Sequence, residues 1–247
     1  ISKPFKTTVV SVDLKENKIL MEKIKAVITG VGGYVPDYVL TNDEISRMVD
    51  TNDEWIMTRI GVKERRILNE EGLGSSYMAR KAAKQLMQRT GADPDDIDLV
   101  IVATSTPDYH FPSTASILCD KLRLKNAYAF YLQAACSGFL YLMETAANFI
   151  RSGRYKKVII VGADKMSSMV DNTDRATCPI FGDGAAAFML EPTTEDVGIM
   201  DAILRTDGKG LPFLHMKAGG SVCPPSYFTV GNHMHYIYQE DRKSTRL

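Results

Sequence analysis

Asn126-Ala127-Tyr128-Ala129-Phe130-Tyr131-Leu132-Gln133-Ala134-Ala135-Cys136-Ser137-Gly138-Phe139 is the stretch whose reading decides the fold. Asn126 to Leu132 reads as a strand, and Gly138 to Ile150 places Phe139, Leu142, Met143, Ala146, Ala147 and Ile150 at helical spacing. The periodicity changes at the small residues between them, so Cys136 is expected to open the helix. There the unpaired N–H groups and the positive end of the helix dipole favour the thiolate over the thiol, and the small neighbours leave room for a substrate. A free cysteine is equally at home as buried core packing. Context tips the reading toward a nucleophile.

Working outward, Ala26 to Val31, Asp98 to Thr104, Lys157 to Gly162 and Ala185 to Leu190 are short runs bounded by Gly, Pro, Asp or Asn. Several are apolar throughout, as strands buried on both faces should be. Helices alternate with them. Thr41-Asn42-Asp43-Glu44 and Thr51-Asn52-Asp53-Glu54 both fit the Thr-x-x-Glu capping box, so each is expected to start a helix. Ser76 to Arg89 sets Met78, Ala79, Ala82, Ala83, Leu86 and Met87 on one face and stops at Gly91. The alternation predicts an α/β layered fold around a buried sheet. The repeated Thr-Asn-Asp-Glu is explained by two caps, not by duplication.

Composition narrows the function. The chain is 45% hydrophobic and 24% charged, and its 30 basic residues balance 30 acidic ones, which gives no general attraction for nucleic acid. A local basic cluster, Lys63, Arg65 and Arg66 close behind Arg59, is either a solvated loop or a holder for a phosphorylated ligand. The four cysteines, Cys119, Cys136, Cys178 and Cys223, show no Cys-x-x-Cys spacing, which predicts neither zinc nor disulfides and fits a reducing, cytoplasmic setting. Cys119 is read as packing, beside Ile117 and Leu118 in a helix over Thr114 to Leu124. Apolar runs such as Leu99 to Ala103 and Val158 to Val161 fall far short of the roughly 20 residues that span a bilayer, so no membrane segment is expected.

Two glycine motifs bear on nucleotide binding. Gly30-Val31-Gly32-Gly33 follows a strand, but Tyr34-Val35-Pro36 comes next where a dinucleotide fold would open a helix. Gly182-Asp183-Gly184 lacks the Lys-Ser/Thr of a P-loop and is read as a tight turn with close backbone packing. His233 and His235 would share one face of a strand, but no further ligand stands at useful spacing, so no metal is expected.

Three segments carry a family resemblance. They are the Ala-Cys-Ser-Gly turn at Cys136, Trp55-Ile56-Met57-Thr58-Arg59-Ile60-Gly61-Val62-Lys63-Glu64-Arg65-Arg66, and Phe181-Gly182-Asp183-Gly184-Ala185-Ala186. In this order they resemble the nucleophile loop, coenzyme A-binding stretch and strand entry of the β-ketoacyl-acyl-carrier-protein synthase III family, in the thiolase superfamily. The resemblance runs from about Lys23 to about Glu240.

It implies a five-layered αβαβα fold of two similar halves. Residues 21–195 would be the nucleophile-bearing half, residues 196–247 an incomplete second half, and residues 1–20 an N-terminal extension foreign to the family. That extension is read as upstream-translated sequence or a loosely packed extra strand, not a signal peptide. Residues 241–247 abandon the family pattern and read as a premature end. The resemblance further implies an acyltransferase with no permanently bound cofactor. Cys136 would take a short acyl group from acyl-coenzyme A and pass it to malonyl-acyl-carrier protein, initiating fatty acid synthesis. Thr51, Trp55, Arg59 and Arg175 would contact coenzyme A, and Phe181 would wall the acyl channel. Phe111 would reach into the partner's acyl pocket in a homodimer. Trp55 also has an ordinary reading as a core anchor beneath its helix.

Family segments of the His-Gln-Ala-Asn and Asn-His-Gly-Gly kinds have no counterpart here, and none of His110, His215, His233 or His235 takes their role by motif. Condensation is therefore expected to fail in this chain as written. Two alternatives stay open. One is a sister thiolase-fold enzyme making 3-hydroxy-3-methylglutaryl-coenzyme A or a polyketide, which the Trp-Ile-x-x-Arg stretch disfavours. The other is a catalytically dead fragment that binds acyl chains or a dimer partner.

Overall fold

Residues 24–240 are described by a computed structural model. The expectations for residues 1–20 and 241–247 lie outside the described residues. β1 (Lys25–Tyr34) leads to β2 (Tyr38–Thr41), α1 (Asn42–Ile45), α2 (Asp53–Arg59) and β3 (Glu64–Ile67). Next come α3 (Ser75–Thr90), β4 (Leu99–Ala103), α4 (Thr114–Leu122), β5 (Tyr128–Leu132) and α5 (Gly138–Arg151). β6 (Val158–Lys165), β7 (Asp183–Thr193), β8 (Leu214–Met216), α6 (Tyr227–Gly231) and β9 (Ile237–Gln239) complete the order.

Five strands form one mixed sheet, β1-β7-β6-β4-β5. β4 runs parallel to β5 and β6, while β7 is antiparallel to β1 and β6. The layering follows from β4, Leu-Val-Ile-Val-Ala, which is buried along its whole length. Because alternate side chains leave opposite faces, Val100 and Val102 join Ala82, Leu86 and Leu118 of α3 and α4. Leu99 and Ile101 join Leu142, Ala146 and Ile150 of α5 on the other face. The result is an α/β/α unit, three of the five layers that the resemblance implies. Among the described residues no helix is long and apolar enough to cross a membrane.

Gly32 of β1 has a packing role. A Cβ on Gly32 would lie 2.3 Å from the Ala82 carbonyl oxygen and 2.6 Å from the Leu86 nitrogen, both backbone atoms of α3. Its lack of a side chain lets the helix settle on the sheet.

The structure corrects several expectations. Only the first capping box forms at the predicted residue: Thr41 caps α1 in a reciprocal pair with Glu44. The second helix is capped by Asn52, whose Oδ1 accepts from the Trp55 N–H at 2.8 Å, so α2 begins one residue later than Thr51 would set it. Gly182-Asp183-Gly184 is not a turn. Asp183 already lies in β7, and its buried carboxylate accepts from the Leu68 N–H, the Ser167 N–H and the Ser167 hydroxyl. The close packing expected there is present, since a Cβ on Gly182 would meet the Arg66 carbonyl at 3.2 Å. His233 and His235 precede β9 and do not lie in a strand. Instead, His233 Nδ1 pairs with Asp171 at 2.8 Å, and His235 Nε2 with the Thr229 hydroxyl at 2.9 Å.

Residues 196–240 add little to the core. Segment 196–206 runs along α5, tied by Arg151 to the Ile199 carbonyl and by the Tyr141 hydroxyl to the Arg205 carbonyl and Thr206. Ala218 and Thr229 are the buried residues of this region.

Candidate functional site

The strand-to-helix switch is sharper than periodicity predicts. β5 ends at Leu132, residues Ala135–Ser137 form a single 3-10 turn, and α5 starts only at Gly138. Cys136 therefore sits in the turn before the helix and does not open it. Ala135 is held at φ +44°, in the left-handed region that costs a side-chain-bearing residue about 1 kcal/mol or more. The turn is closed by the Ser137 N–H donating to the Ala134 carbonyl at 3.1 Å and by the Gly138 N–H donating to the Ala135 carbonyl. A Cβ on Gly138 would stand 3.1 Å from the Ala103 side chain, so glycine lets the turn pack on the end of β4. Cys136 is left exposed at the N-terminal end of a 14-residue helix.

The other thiols differ. Cys119 and Cys178 are buried, and burial pushes each up to about 11. At pH 8 a thiol with a pKa near 11 is only about 0.1% thiolate, and the thiolate is the nucleophile. Timed iodoacetamide labelling at pH 8 with peptide mapping should therefore modify Cys136 well before Cys119 and Cys178. Equal rates at Cys119 and Cys136 would contradict this picture.

A cleft of about 570 Å³ lies between α2 and the segment carrying Asp174 and Arg175. That volume is typical of small-molecule sites. Trp55, Arg59 and Ile60 form one wall, and Arg175, Ala176 and Ile180 the other. The Arg175 guanidinium lies over the Trp55 ring, 4.6 Å from its centre. Trp55 also packs against the cluster of Leu40, Ile45, Ile56, Val170 and Cys178, so it is both a partial core anchor and a cleft wall. Structure thus brings together Trp55, Arg59 and Arg175. It does not bring Thr51 to the cleft lining; its Oγ1 is buried without a hydrogen-bond partner. Phe181 packs in the apolar cluster beside Trp55. Phe111 stands apart on the loop before α4, 86% exposed.

The basic cluster dissolves on inspection. Arg65 is buried, at 3% exposure, and burial pulls its guanidinium below the ordinary value. Its donors go to the Pro179 carbonyl and to Asn42 Oδ1. Arg66 reaches the Pro36 carbonyl and Glu64, which leaves Lys63 exposed. Sequence reading missed this because alternation inside a four-residue strand, Glu-Arg-Arg-Ile, sends Arg65 inward and its charged neighbours outward. Asp164 was also missed. At the end of β6 its Oδ1 accepts from the Ser105 N–H at 2.7 Å and from the hydroxyls of Thr104 and Thr106, holding the loop after β4. Burial raises its carboxyl, partly offset by these donors. Among the described residues no group of three His, Cys, Asp or Glu side chains is placed to hold a metal.

Comparison with known proteins agrees with this geometry. A profile of the 3-oxoacyl-(acyl-carrier-protein) synthase III family matches residues 130–208, from within β5 through α5, β6 and β7. The chain is 89% identical over 222 residues to β-ketoacyl-(acyl-carrier-protein) synthase III 2 of Bacteroides thetaiotaomicron, covering 90% of this chain and 66% of that one. It is 53% identical to the synthase III of Azobacteroides pseudotrichonymphae, covering 90% of this chain and 67% of the relative. The crystal structure of the synthase III of Aquifex aeolicus is similar with a TM-score of 0.77 at 40% identity, over 88% of this chain and 65% of that one. The chain thus spans about two thirds of the length of these relatives. Identity of this extent, carried on a thiolase-type sheet whose elbow exposes Cys136, means that the chain belongs to the β-ketoacyl-(acyl-carrier-protein) synthase III family.

Proposed function

We propose that these residues perform the first half-reaction of a condensing enzyme of fatty acid synthesis: the Cys136 thiolate attacks the thioester carbonyl of a short acyl-coenzyme A, the carbon–sulfur bond to coenzyme A breaks, and the acyl group stays on Cys136. Splitting the transfer in two makes each barrier smaller. The Cys136 N–H would donate to the developing oxyanion, which is why the strained turn matters as much as the sulfur. The observation that carries the reading is the exposed Cys136 in its elbow at the start of α5.

The cleft supplies the donor site. Trp55 and the Arg175 guanidinium offer two flat faces for the adenine, and Arg59 beside them a cation for phosphate. Arg175 now covers the Trp55 face, so it would swing outward by about a ring's thickness as the adenine enters. Thr51, outside the cleft lining, would make a further contact to coenzyme A, and Phe181 would wall the acyl channel. Acylated Cys136 would then pass its group to malonyl-acyl-carrier protein. The His and Asn that the resemblance implies for that step belong to segments absent from this sequence, so acyl capture is the step that these residues would carry. No permanently bound cofactor is required.

Residues 21–195 would form the nucleophile half, with residues 196–247 opening a second half. Homodimerisation is supported by β5, an edge strand of the sheet, and by the protruding Phe111, which would enter the partner's acyl pocket. The free state of all four cysteines fits a cytoplasmic location.

Calorimetric titration with coenzyme A, beside a thermal melt, tests the donor site. Arg175→Ala and Arg59→Ala should each weaken binding about tenfold, the scale of one lost charge-assisted contact, with the melt unchanged. Trp55→Ala should weaken it at least as much. Unchanged affinity in all three variants would remove the cleft from the account.

A further inference from the structure

Arg65 does not line the cleft, yet its hydrogen bonds lead toward both of its walls. Its Nε donates to the Pro179 carbonyl at 2.8 Å and its Nη2 donates to the same oxygen. Pro179 adjoins Ile180 in the wall that carries Arg175. Its Nη1 donates to Asn42 Oδ1, and the Asn42 amide donates in turn to Asp53 Oδ1 at 2.6 Å and to the Val62 carbonyl at 3.1 Å. Asp53 is the first residue of α2, the helix that carries Trp55 and Arg59. One continuous chain of hydrogen bonds therefore runs from α2 through Asn42 and Arg65 to the opposite wall.

The choice of residue is informative. A buried guanidinium without a directly paired carboxylate carries a desolvation cost, and an apolar side chain would fill the same space without it. What the guanidinium adds is geometry. Its planar fork can grip one carbonyl with two N–H groups while a third reaches Asn42, and a lysine ammonium cannot reproduce this. Asn42 is itself 3% exposed and uses both ends of its amide in the link.

We propose that Arg65 is a positioning residue that fixes the separation of the backbone segments carrying Trp55 and Arg175, and so the width of the slot that receives the nucleotide; the ligand named rests on the coenzyme A reading above. The span does not depend on that ligand. Trp55 is the sole tryptophan, so its fluorescence reports the cleft directly. With the walls untied, Arg175 should cover the ring less well.

The experiment measures acrylamide quenching of Trp55 and the dissociation constant for coenzyme A, both well below the melting temperature, in the 247-residue chain and its Arg65→Lys and Asn42→Ala variants. The expected result is a rise of about twofold in the quenching constant and a loss of about tenfold in affinity in each variant. Quenching within experimental error of the parent in a cooperatively melting variant would overturn the inference, whatever the affinity does. Raised quenching with unchanged affinity would also overturn it, because the wall spacing would then not matter to binding. If Arg65→Lys does not fold, Asn42→Ala decides by the same criteria. If the parent does not bind coenzyme A, the ligand assignment fails, and the quenching comparison alone decides whether Arg65 sets the cleft.

Discussion

Cys136→Ala is expected to reduce acyl transfer from acetyl-coenzyme A by about a thousandfold or more while leaving the fold intact, since removing a covalent nucleophile leaves only binding and oxyanion contacts. No other thiol can substitute. Cys119 and Cys178 are buried and pushed up to about 11, and Cys223 lies in the loop between β8 and α6, outside the elbow. The structural cost should be small because Cys136 is exposed and makes no core contact, so the change in stability should stay within about 0.5 kcal/mol. Stopped-flow release of free coenzyme A, with a thermal melt of the same preparation, reads both quantities. A variant that keeps a tenth of the parent rate would move the chemistry elsewhere.

Gly32→Ala should be strongly destabilising, because it sets a methyl against the backbone of α3. The added Cβ would lie 2.3 Å from the Ala82 carbonyl and 2.6 Å from the Leu86 nitrogen, and neither backbone atom can rotate away. Helix α3 would have to lift off β1, and with it Ala82, Ala83 and Leu86 of the larger core. A cost of about 3 kcal/mol or more follows from overpacking against rigid backbone. Gly33→Ala is the control. Its Cβ would meet nothing nearer than the Ala185 carbonyl at 3.9 Å, and its effect should stay within about 1 kcal/mol. Urea melts of the two variants should differ accordingly, and equal stabilities would show that α3 can adjust.

The sheet and its helices were legible because burial is written into them. Leu99 to Ala103 and Val158 to Val161 are apolar without interruption, and α3 carries its small and apolar residues at helical spacing. Boundaries moved by a few residues at most in these elements, as in β7, which runs from Asp183 to Thr193 around the predicted Ala185 to Leu190. The short pairs β2–β3 and β8–β9 were not visible, since three or four residues mixing polar and apolar side chains show no period. At α2 two good cap residues stand side by side, and local geometry, not sequence, gave the cap to Asn52.

The site divides in the same way. Cys136 was found because a strand, a run of small residues and a helix are contiguous in sequence. Trp55 and Arg175 meet only through tertiary structure, and they were paired by family resemblance alone. Arg65 was misjudged because charge suggests solvent, whereas this guanidinium is satisfied by a carbonyl and an amide oxygen. Nothing local distinguishes such a residue from Lys63.

Intact-mass analysis of the 247-residue chain after brief mixing with acetyl-coenzyme A, followed by peptide mapping, tests the acyl-capture claim most directly. One added acetyl group, located on Cys136 and absent from Cys136→Ala, is the predicted result. An unmodified chain that nevertheless binds coenzyme A, or an acetyl group located on another residue, would contradict the account.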